Sequence, residues 1–561
     1  MRRRSGLTCV LPALAIGLLS CTPVPAAPGA ESCLPLTPTL EHGNLIVPGV
    51  LGGVVYARAG EGSAAPLLMD LYTPPGTDRA PMVVVVHGGG WTTGSRVTHV
   101  GQLLELLTEA GFAWASIDYR LNGLAHWQDA VDDVREAVEF VRCHAAALRI
   151  DPARIVLAGE DTGAQLAAHA AATAKPRALV LIGAPYDLTA IETDATRAVD
   201  PAVRRRASIA GAADVHAGPD VPVYAIHGRA DRDVPPDQAD EFCSAVRRAG
   251  GRCDLDLVEG ASHRFENWWP SQWGYKDRLI RWLREHAGPT TSRPFAPVTL
   301  EGPLAPGLHK RIVFEPAHGL TLDAWIPEGD GPHVPVIVVH GGGWEAGDRV
   351  TYVTPIFRPL AEAGFAWFSI DYRLTPSVRH EAQMDDLRAA IAFVRRNANR
   401  LRVDPGKVVL VGESASGQMV ALAAVDDQSL AGVVSFYGVF DFERFAADSP
   451  RSVPARLFGI RAPLSDGDRA TLRRYSPLHR ATPAQAPILL VNGTGESLWA
   501  QAQAYAARLA SLGARHGLVA LEGAPHGMEN WEGHPEWAHY RPRVLDWIRE
   551  VTRRGQRTPV N

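Results

Sequence analysis

The feature that most constrains this chain is an internal repeat with a very long period. The segment HGGGWTTGSRVT at residue 87 returns as HGGGWEAGDRVT at residue 340, and GFAWASIDYRL at residue 111 returns as GFAWFSIDYRL at residue 364. Both pairs lie 253 residues apart, a spacing far longer than the unit of a solenoid protein. The sequence therefore predicts two copies of one domain in a chain of 561 residues.

Within each copy, short apolar runs alternate with segments of helical periodicity. Runs such as MVVVVH and IVLAG predict buried strands, and WQDAVDDVREAVEFVRCHA predicts an amphipathic helix. Continuous apolar strands separated by helices are typical of a mostly parallel sheet covered on both faces. We expect two doubly wound α/β domains at residues 40–288 and 308–553, joined at residues 289–307 by a linker rich in Pro and Gly.

The second copy contains an insertion. PVYAIHGRAD at residue 222 matches PILLVNGTGE at residue 487, and SHRFENW at residue 262 matches PHGMENW at residue 525, so these later pairs lie 265 and 263 residues apart. About a dozen extra residues are therefore expected in the second copy, and residues 443–476 are the predicted place.

The N-terminus has the pattern of an export signal. MRRR is a basic segment, and LTCVLPALAIGLL is an apolar run too short to span a bilayer, so residues 1–20 are expected to be removed. LLSC resembles a bacterial lipobox, which would make Cys21 the lipidated first residue; cleavage near residues 24–26 is the alternative. We expect a periplasmic or outer-membrane-anchored lipoprotein, or otherwise a secreted protein.

An exported chain can form disulfides. Cys243 and Cys253 flank a predicted helix, a Gly-Gly turn and a strand, so a bridge between them is geometrically easy, and Cys33 with Cys143 would follow by elimination. Pairs of buried thiols are the other interpretation.

Charge and motif content exclude several partners. The net charge is −5 with no long basic tract, which argues against nucleic acid. No CxxC or HExxH motif occurs, so we expect no metal site, and no organic cofactor is implied. Small neutral or weakly charged molecules fit better as partners, and the oligomeric state is left open.

In the second copy, KVVLVGESASG reads as a strand and a tight turn before a helix. A serine at such a turn, Ser414, projects its hydroxyl above the sheet at a helix N-terminus. The pattern G-x-S-x-G is incomplete, because Ser416 stands where the last glycine is expected, a departure that we expect to strain the turn. A serine that only caps the helix is the alternative.

Three glycines follow a strand upstream of this turn, in VIVVHGGGW. Their backbone N–H groups can turn towards a small anion, and such donors stabilise the oxyanion of acyl transfer. A degenerate dinucleotide-binding loop is the other interpretation, but it leaves Ser414 unexplained.

A base and a carboxylate complete the pattern. His526 lies in a loop after the last predicted strand, and Glu496 lies just past the preceding strand. A carboxylate must orient the imidazole ring of a catalytic histidine; Asp441 is the competing candidate. The order Ser414, Glu496, His526 is that of α/β-hydrolases.

The motifs HGGGW, DYRL and GESASG make each copy similar to α/β-hydrolases of the HGGGW-bearing esterase group, which includes feruloyl-esterase-like, acetyl-esterase and hormone-sensitive-lipase-like enzymes. The resemblance implies that Ser414 is the nucleophile, His526 the general base and acid, and Glu496 its orienting carboxylate. It also implies an oxyanion hole made by the N–H groups of Gly342, Gly343 and Ala415. Glu496 departs from the commoner aspartate.

The first copy has a different residue at the nucleophile position. It keeps HGGGW, Asp231 and His263, but Asp161 replaces the serine and cannot form an acyl-enzyme through an alcohol. We expect a catalytically silent domain. An aspartate that attacks a saturated carbon, as in dehalogenases and epoxide hydrolases, is the alternative.

The sequence thus predicts an exported serine carboxylesterase, with acetyl or feruloyl esters of glycans as possible substrates. Tryptophans near both late histidines, in ENWWPSQW and ENWEGHPEWAHY, would either stack on sugar rings or aromatic acids, or belong to the core. Two other functions stay open: a non-catalytic binding protein, and an amidase or peptidase with the same triad.

Overall fold

The structure is a computed structural model that describes residues 33–40, 42–58, 65–210, 220–448, 453–460 and 463–553. The described residues from 34 to 553 belong to one compact unit. The signal segment 1–20 and Cys21 lie outside the described residues, so cleavage and lipidation stay predictions.

The described part of the first copy forms an eight-stranded sheet with the strand order β1-β2-β4-β3-β5-β6-β7-β8. Its strands are β1 (Leu51–Ala57), β2 (Leu67–Tyr72), β3 (Ala80–Val86), β4 (Ala113–Ile117), β5 (Ile150–Glu160), β6 (Ala178–Ile182), β7 (Val223–Gly228) and β8 (Cys253–Val258). Its helices are α1 (Gly101–Ala110), α2 (Trp127–Cys143), α3 (Thr162–Ala174), α4 (Asp194–Arg197), α5 (Pro201–Ala207), α6 (Asp237–Arg248) and α7 (Gly274–Ala287).

The described part of the second copy repeats this topology in another eight-stranded sheet, with the order β9-β10-β12-β11-β13-β14-β15-β16. Its strands are β9 (Gly307–Glu315), β10 (Leu320–Ile326), β11 (Pro335–Val339), β12 (Ala366–Ile370), β13 (Val409–Glu413), β14 (Gly432–Phe436), β15 (Ile488–Gly493) and β16 (His516–Leu521). Its helices are α8 (Thr354–Glu362), α9 (His380–Arg396), α10 (Ala398–Leu401), α11 (Ala415–Asp426), α12 (Phe442–Asp448), α13 (Val453–Phe458), α14 (Asp466–Arg474), α15 (Pro477–Arg480), α16 (Trp499–Ser511) and α17 (Tyr540–Thr552).

The sheets are mostly parallel and have a hydrophobic core on each face. In the first copy, β2 pairs antiparallel with β1 and β4, and the other neighbours pair in parallel. Alternate residues of β3 point to opposite faces, so Val84 and Val86 pack in one core while Val83 and Val85 pack in another. The expectation of two doubly wound α/β folds is therefore confirmed.

The extra residues of the second copy fall in the connection between β14 and β15. That connection contains the helices α12, α13 and α14, whereas the first copy has only α4 and α5 described between β6 and β7. The predicted insertion, residues 443–476, covers α13, α14 and most of α12.

Buried ion pairs join the two copies. Glu105 of α1 accepts from Arg349 Nη2 at 2.6 Å, and its Oε1 lies 3.1 Å from Lys310 Nζ. All three side chains are at least nine-tenths buried, and the two cations lower the pKa of Glu105 to about 2 even though burial opposes its ionisation. Gln102 adds a neutral contact, because its Nε2 donates to Thr351 Oγ1 at 2.8 Å.

Cys243 at the C-terminal half of α6 and Cys253 at the start of β8 form a disulfide, with Cα atoms 5.2 Å apart. Cys143 is also disulfide-bonded, and its pairing with Cys33 stays a prediction. Among the described residues, no helix is long and apolar enough to cross a membrane.

Candidate active site

Ser414 and Asp161 occupy the same sharp turn in their two domains. Ser414 lies between β13 and α11 with φ 52° and ψ −115°, and Asp161 lies between β5 and α3 with φ 51° and ψ −126°. Residues other than glycine seldom adopt a positive φ, and such conformations concentrate at functional sites. The turn places each side chain beyond the carboxyl end of its strand, where ligands of parallel sheets bind.

The structure brings Ser414, His526 and Glu496 together. Ser414 Oγ lies 3.0 Å from His526 Nε2, and His526 Nδ1 makes a short hydrogen bond with Glu496 Oε2. Asn492 Nδ2 donates to the other oxygen of Glu496 at 2.7 Å. Glu496 is buried whereas the His526 side chain is 42% exposed. A held carboxylate thus orients an imidazole ring that solutes can reach.

The competing carboxylate, Asp441, has other partners. Its Oδ1 accepts from the backbone N–H of Glu443 at 3.0 Å at the start of α12, and it lies 3.4 Å from His479 Nε2. The geometry therefore favours Glu496 as the residue that orients His526.

Ser416, which replaces the expected elbow glycine, is buried and hydrogen-bonded. Its hydroxyl donates to Val339 O at the end of β11 at 2.6 Å and accepts from the N–H of Glu413 at 2.9 Å. The side chain thus ties the turn to the neighbouring strand. At the equivalent Gly163 of the first copy, a Cβ would lie only 2.3 Å from His87 O, so that turn packs too closely for a side chain.

A cleft of about 460 Å³ opens over Ser414, His526, Gly342 and Gly343. The two glycines adopt φ 88° and 62°, in the left-handed region that glycine tolerates. Their N–H groups and that of Ala415 stay the predicted oxyanion hole of this domain.

In the first copy, two of the three equivalent N–H groups bind the carboxylate of Asp161. Gly89, the counterpart of Gly342, donates its N–H to Asp161 Oδ2 at 3.1 Å. Thr162, the counterpart of Ala415, also hydrogen-bonds to this carboxylate through its backbone. Asp161 thus places an anionic oxygen where an ester oxyanion would bind.

Asp161 also forms an ion pair with His263. His263 Nε2 lies 3.4 Å from Asp161 Oδ1, and His263 Nδ1 lies 2.8 Å from Asp231 Oδ2. Burial opposes protonation of His263, but the hydrogen bonds to the two carboxylates raise its pKa to about 11. Burial likewise opposes ionisation of Asp161, but His263 and the backbone N–H groups lower its pKa to about 2. Near pH 7 the histidine is therefore a cation and cannot accept a proton.

Four buried glutamates lie near the two elbows. Two precede Asp161 and Ser414, and two lie in the ENW segments after the late histidines: Glu160, Glu413, Glu266 and Glu529. Glu266 Oε2 lies 3.0 Å from His99 Nδ1, and Glu160 Oε2 accepts from the N–H of Gly88 at 2.9 Å. Burial and the neighbouring Asp161 and Glu266 raise the pKa of Glu160 to about 7, although His99 opposes this shift.

The substitution Glu160→Gln is expected to stabilise the protein at alkaline pH. The folded state holds the Glu160 proton up to pH about 7, whereas a free glutamate releases it near 4.5. The contribution of Glu160 to the free energy of unfolding therefore falls as pH rises from 4.5 to about 7. Between pH 4.5 and pH 8 we expect the free energy of unfolding of the variant to rise by about 3 kcal/mol relative to that of the parent, measured by urea unfolding. The exposed Glu139→Gln is the control; an equal effect of Glu160→Gln at both pH values would contradict the prediction.

The first domain also lines the cleft of the second, which the sequence did not reveal. Arg264, Asn267 and Trp269 line the same cleft as Ser414. Their only signal in the sequence is that they follow His263 and belong to the tryptophan-rich segment. The tryptophans of that segment have different environments. Trp268, like Trp531 in the second copy, is buried in a core, whereas Trp269 is half-buried at the cleft.

Comparison with known proteins shows which proteins resemble this chain. The sequence model of the BD-FAE family matches residues 69–219 and 322–509, one segment in each copy. Esterase LipC of Mycobacterium tuberculosis is 28% identical over 245 residues, which are 40% of this chain and 60% of LipC. Carboxylesterase NlhH of the same species is 33% identical over 169 residues, which are 29% of this chain and 52% of NlhH. The chain spans 40% to 60% of the length of the first three curated relatives.

Solved structures also resemble parts of the chain. A truncated carbohydrate esterase from gut microbiota is 21% identical with a TM-score of 0.39, and the match covers 45% of this chain and 99% of that structure. The butyrate-bound esterase Est2 of Thermogutta terrifontis is 25% identical with a TM-score of 0.37, and the match covers 44% of this chain and 97% of that structure.

Proposed function

The chain belongs to the BD-FAE family, and from this premise we propose that it is a serine carboxylesterase whose active site is Ser414, His526 and Glu496. The observation that carries the proposal is the continuous hydrogen-bond chain from Ser414 Oγ through both nitrogens of His526 to the buried carboxylate of Glu496. These three hydrogen-bonded side chains provide the nucleophile, the base and the orienting group that acyl transfer requires.

In the proposed reaction, His526 Nε2 takes the proton of Ser414 as Oγ attacks the ester carbonyl carbon. The tetrahedral intermediate collapses, the bond to the alcohol oxygen breaks, and His526 returns the proton to the leaving alcohol. A water molecule then attacks the acyl-enzyme by the same route and releases the acid. Glu496 stabilises the imidazolium ion that forms in each step.

The oxyanion of both intermediates would bind to the N–H groups of Gly342, Gly343 and Ala415. The equivalent donors of the first domain, those of Gly89 and Thr162, already bind a carboxylate oxygen, which supports this assignment. Such preorganised donors are usually the largest single contribution to acyl-transfer catalysis.

A fluorophosphonate probe tests the proposed nucleophile, because it modifies only activated nucleophiles. We expect peptide mass spectrometry to find the adduct on Ser414 of the full protein and to find none in His526→Ala. If the folded protein gives no adduct at Ser414, the proposed activity is wrong and the binding-protein alternative gains support.

We propose that the first domain does not hydrolyse esters. His263 is held as a cation between Asp161 and Asp231, so it is not available as a base. Both oxygens of Asp161 already have partners, which also weakens the carboxylate as a nucleophile towards saturated carbon.

The substitution Asp161→Ser, made together with Ser414→Ala, is expected to create a reactive site in the first domain. It removes the carboxylate that occupies the anion-binding N–H groups, in a turn whose backbone already matches that of Ser414. We expect fluorophosphonate labelling at position 161 at least about tenfold above that of Ser414→Ala alone. Asp161→Asn, which adds no hydroxyl, is the control. A folded variant without an adduct at position 161 would show that the first domain lacks more than a nucleophile.

Substrate and location are also proposals. The cleft presents a tryptophan and two asparagines, which suits esters whose alcohol is a sugar, such as acetyl or feruloyl esters of glycans. The basic and apolar N-terminal segment supports export, with Cys21 as the site of a lipid anchor. Labelling of the protein and of Cys21→Ala with radioactive palmitate in cells tests the anchor; equal labelling of both would exclude it.

A further inference from the structure

Residues of both domains line the cleft that contains Ser414. Gly342, Gly343, Ser414 and His526 come from the second domain, and Arg264, Asn267 and Trp269 come from the first. We propose that Trp269 is a specificity-determining residue of the second domain's active site, so that the first domain completes the substrate-binding site instead of forming a second catalytic one. This inference rests on the proposed function.

The segment from His263 to Trp269 is held by contacts within its own domain. His263 at its start is fixed between the carboxylates of Asp161 and Asp231. Phe265 and Trp268 are buried in the core, and Trp268 Nε1 donates to Ser262 O at 2.8 Å. The Asp161 that replaced a nucleophile therefore stabilises the segment that borders the neighbouring active site.

Residues of the second domain contact the same segment. The hydroxyl of Tyr352 donates a short hydrogen bond to Asn267 Oδ1. The Arg456 guanidinium lies 5.6 Å from the centroid of the Trp269 ring and is paired with Glu345, with Nη2 to Oε2 at 2.7 Å. Arg456 belongs to α13, in the connection between β14 and β15 that is longer in the second copy. This longer connection thus contacts the Trp269 ring through Arg456.

Arg264 connects the first domain to the catalytic histidine. Its Nη2 lies 3.4 Å from Asn530 Oδ1, and Asn530 Nδ2 donates to the backbone oxygen of His526 at 2.7 Å. Asn530 thus links the first domain to the backbone of His526, and Arg264 also lines the cleft.

A tryptophan beside the exposed Asn267 suits a ring that carries hydroxyl groups. The indole face packs on the apolar face of such a ring, and amide and guanidinium groups bind its hydroxyls. In this proposal the alcohol part of the ester, on the far side of the carbonyl carbon that Ser414 attacks, lies against Trp269. Trp269 should therefore discriminate between alcohols and not between acids.

Two acetate esters test this inference in the full protein: ethyl acetate and a mono-O-acetylated methyl glucoside. Both give the same acetyl-enzyme, so a change in their relative kcat/KM concerns the alcohol. In Trp269→Ala we expect the ratio of kcat/KM for the glucoside to that for ethyl acetate to fall about fivefold, mainly through KM for the glucoside. Trp269→Phe should restore most of this ratio.

The control is Trp537→Ala, a half-buried tryptophan outside the cleft that stacks on His534, which should leave the ratio unchanged. An unchanged ratio in Trp269→Ala, or an equal loss for both esters, would overturn the inference. Hydrolysis of both esters by Ser414→Ala at the parent rate would instead refute the proposed function, so the two failures are distinguishable.

Discussion

The substitution Ser414→Ala is expected to lower kcat for ester hydrolysis by a factor of about 10⁴ or more. Ser414 Oγ is the atom that His526 Nε2 contacts at 3.0 Å, and alanine leaves the base without a nucleophile to activate. Water cannot replace the serine efficiently, because the elbow places only the side chain of residue 414 beside the base and the glycine N–H groups.

Initial rates on ethyl acetate, followed by acid release, measure this effect. Ser511→Ala, an exposed serine in α16, is the matched control and should keep the parent rate. Circular dichroism and the melting temperature establish that Ser414→Ala is folded. A folded Ser414→Ala variant that keeps more than about a tenth of the parent kcat would show that the reaction does not pass through this serine.

The substitution Glu105→Ala is expected to lower the free energy of unfolding by about 3 kcal/mol. The carboxylate of Glu105 lies 2.6 Å from Arg349 Nη2 and 3.1 Å from Lys310 Nζ in a buried contact between the copies. Removal of one member of a buried ion-pair network leaves charge that neither water nor another carboxylate compensates fully. Asp323 and Asp371 still compensate part of the positive charge of Lys310 and Arg349.

Urea unfolding followed by tryptophan fluorescence measures this loss. Glu139→Ala is the matched control, because Glu139 pairs with Arg142 on an exposed helix surface, where an ion pair contributes less than about 1 kcal/mol. If Glu105→Ala is no less stable than Glu139→Ala, the contact between the copies does not stabilise the protein.

The sequence by itself determined the repeat, the fold class and the order of the site residues. Strand and helix follow from local periodicity, and the nucleophile turn follows from small residues between a strand and a helix, so both are visible without tertiary structure. Ser414, Glu496 and His526 could be predicted because each lies just after a recognisable strand. The carboxyl ends of parallel strands meet at one edge of a sheet.

Only the tertiary structure decided which distant groups meet. It brought Glu496 to His526 and placed Asp441 beside His479. It also placed Arg264 and Trp269 on the cleft of the other domain. Contacts between domains leave no periodic pattern in either segment, because they depend on how two finished surfaces pack. The contacts of Asp161 could not be predicted for the same reason. The sequence shows that aspartate stands in place of serine, but its contacts with Gly89 and His263 depend on three loops that come together only when the sheet has formed.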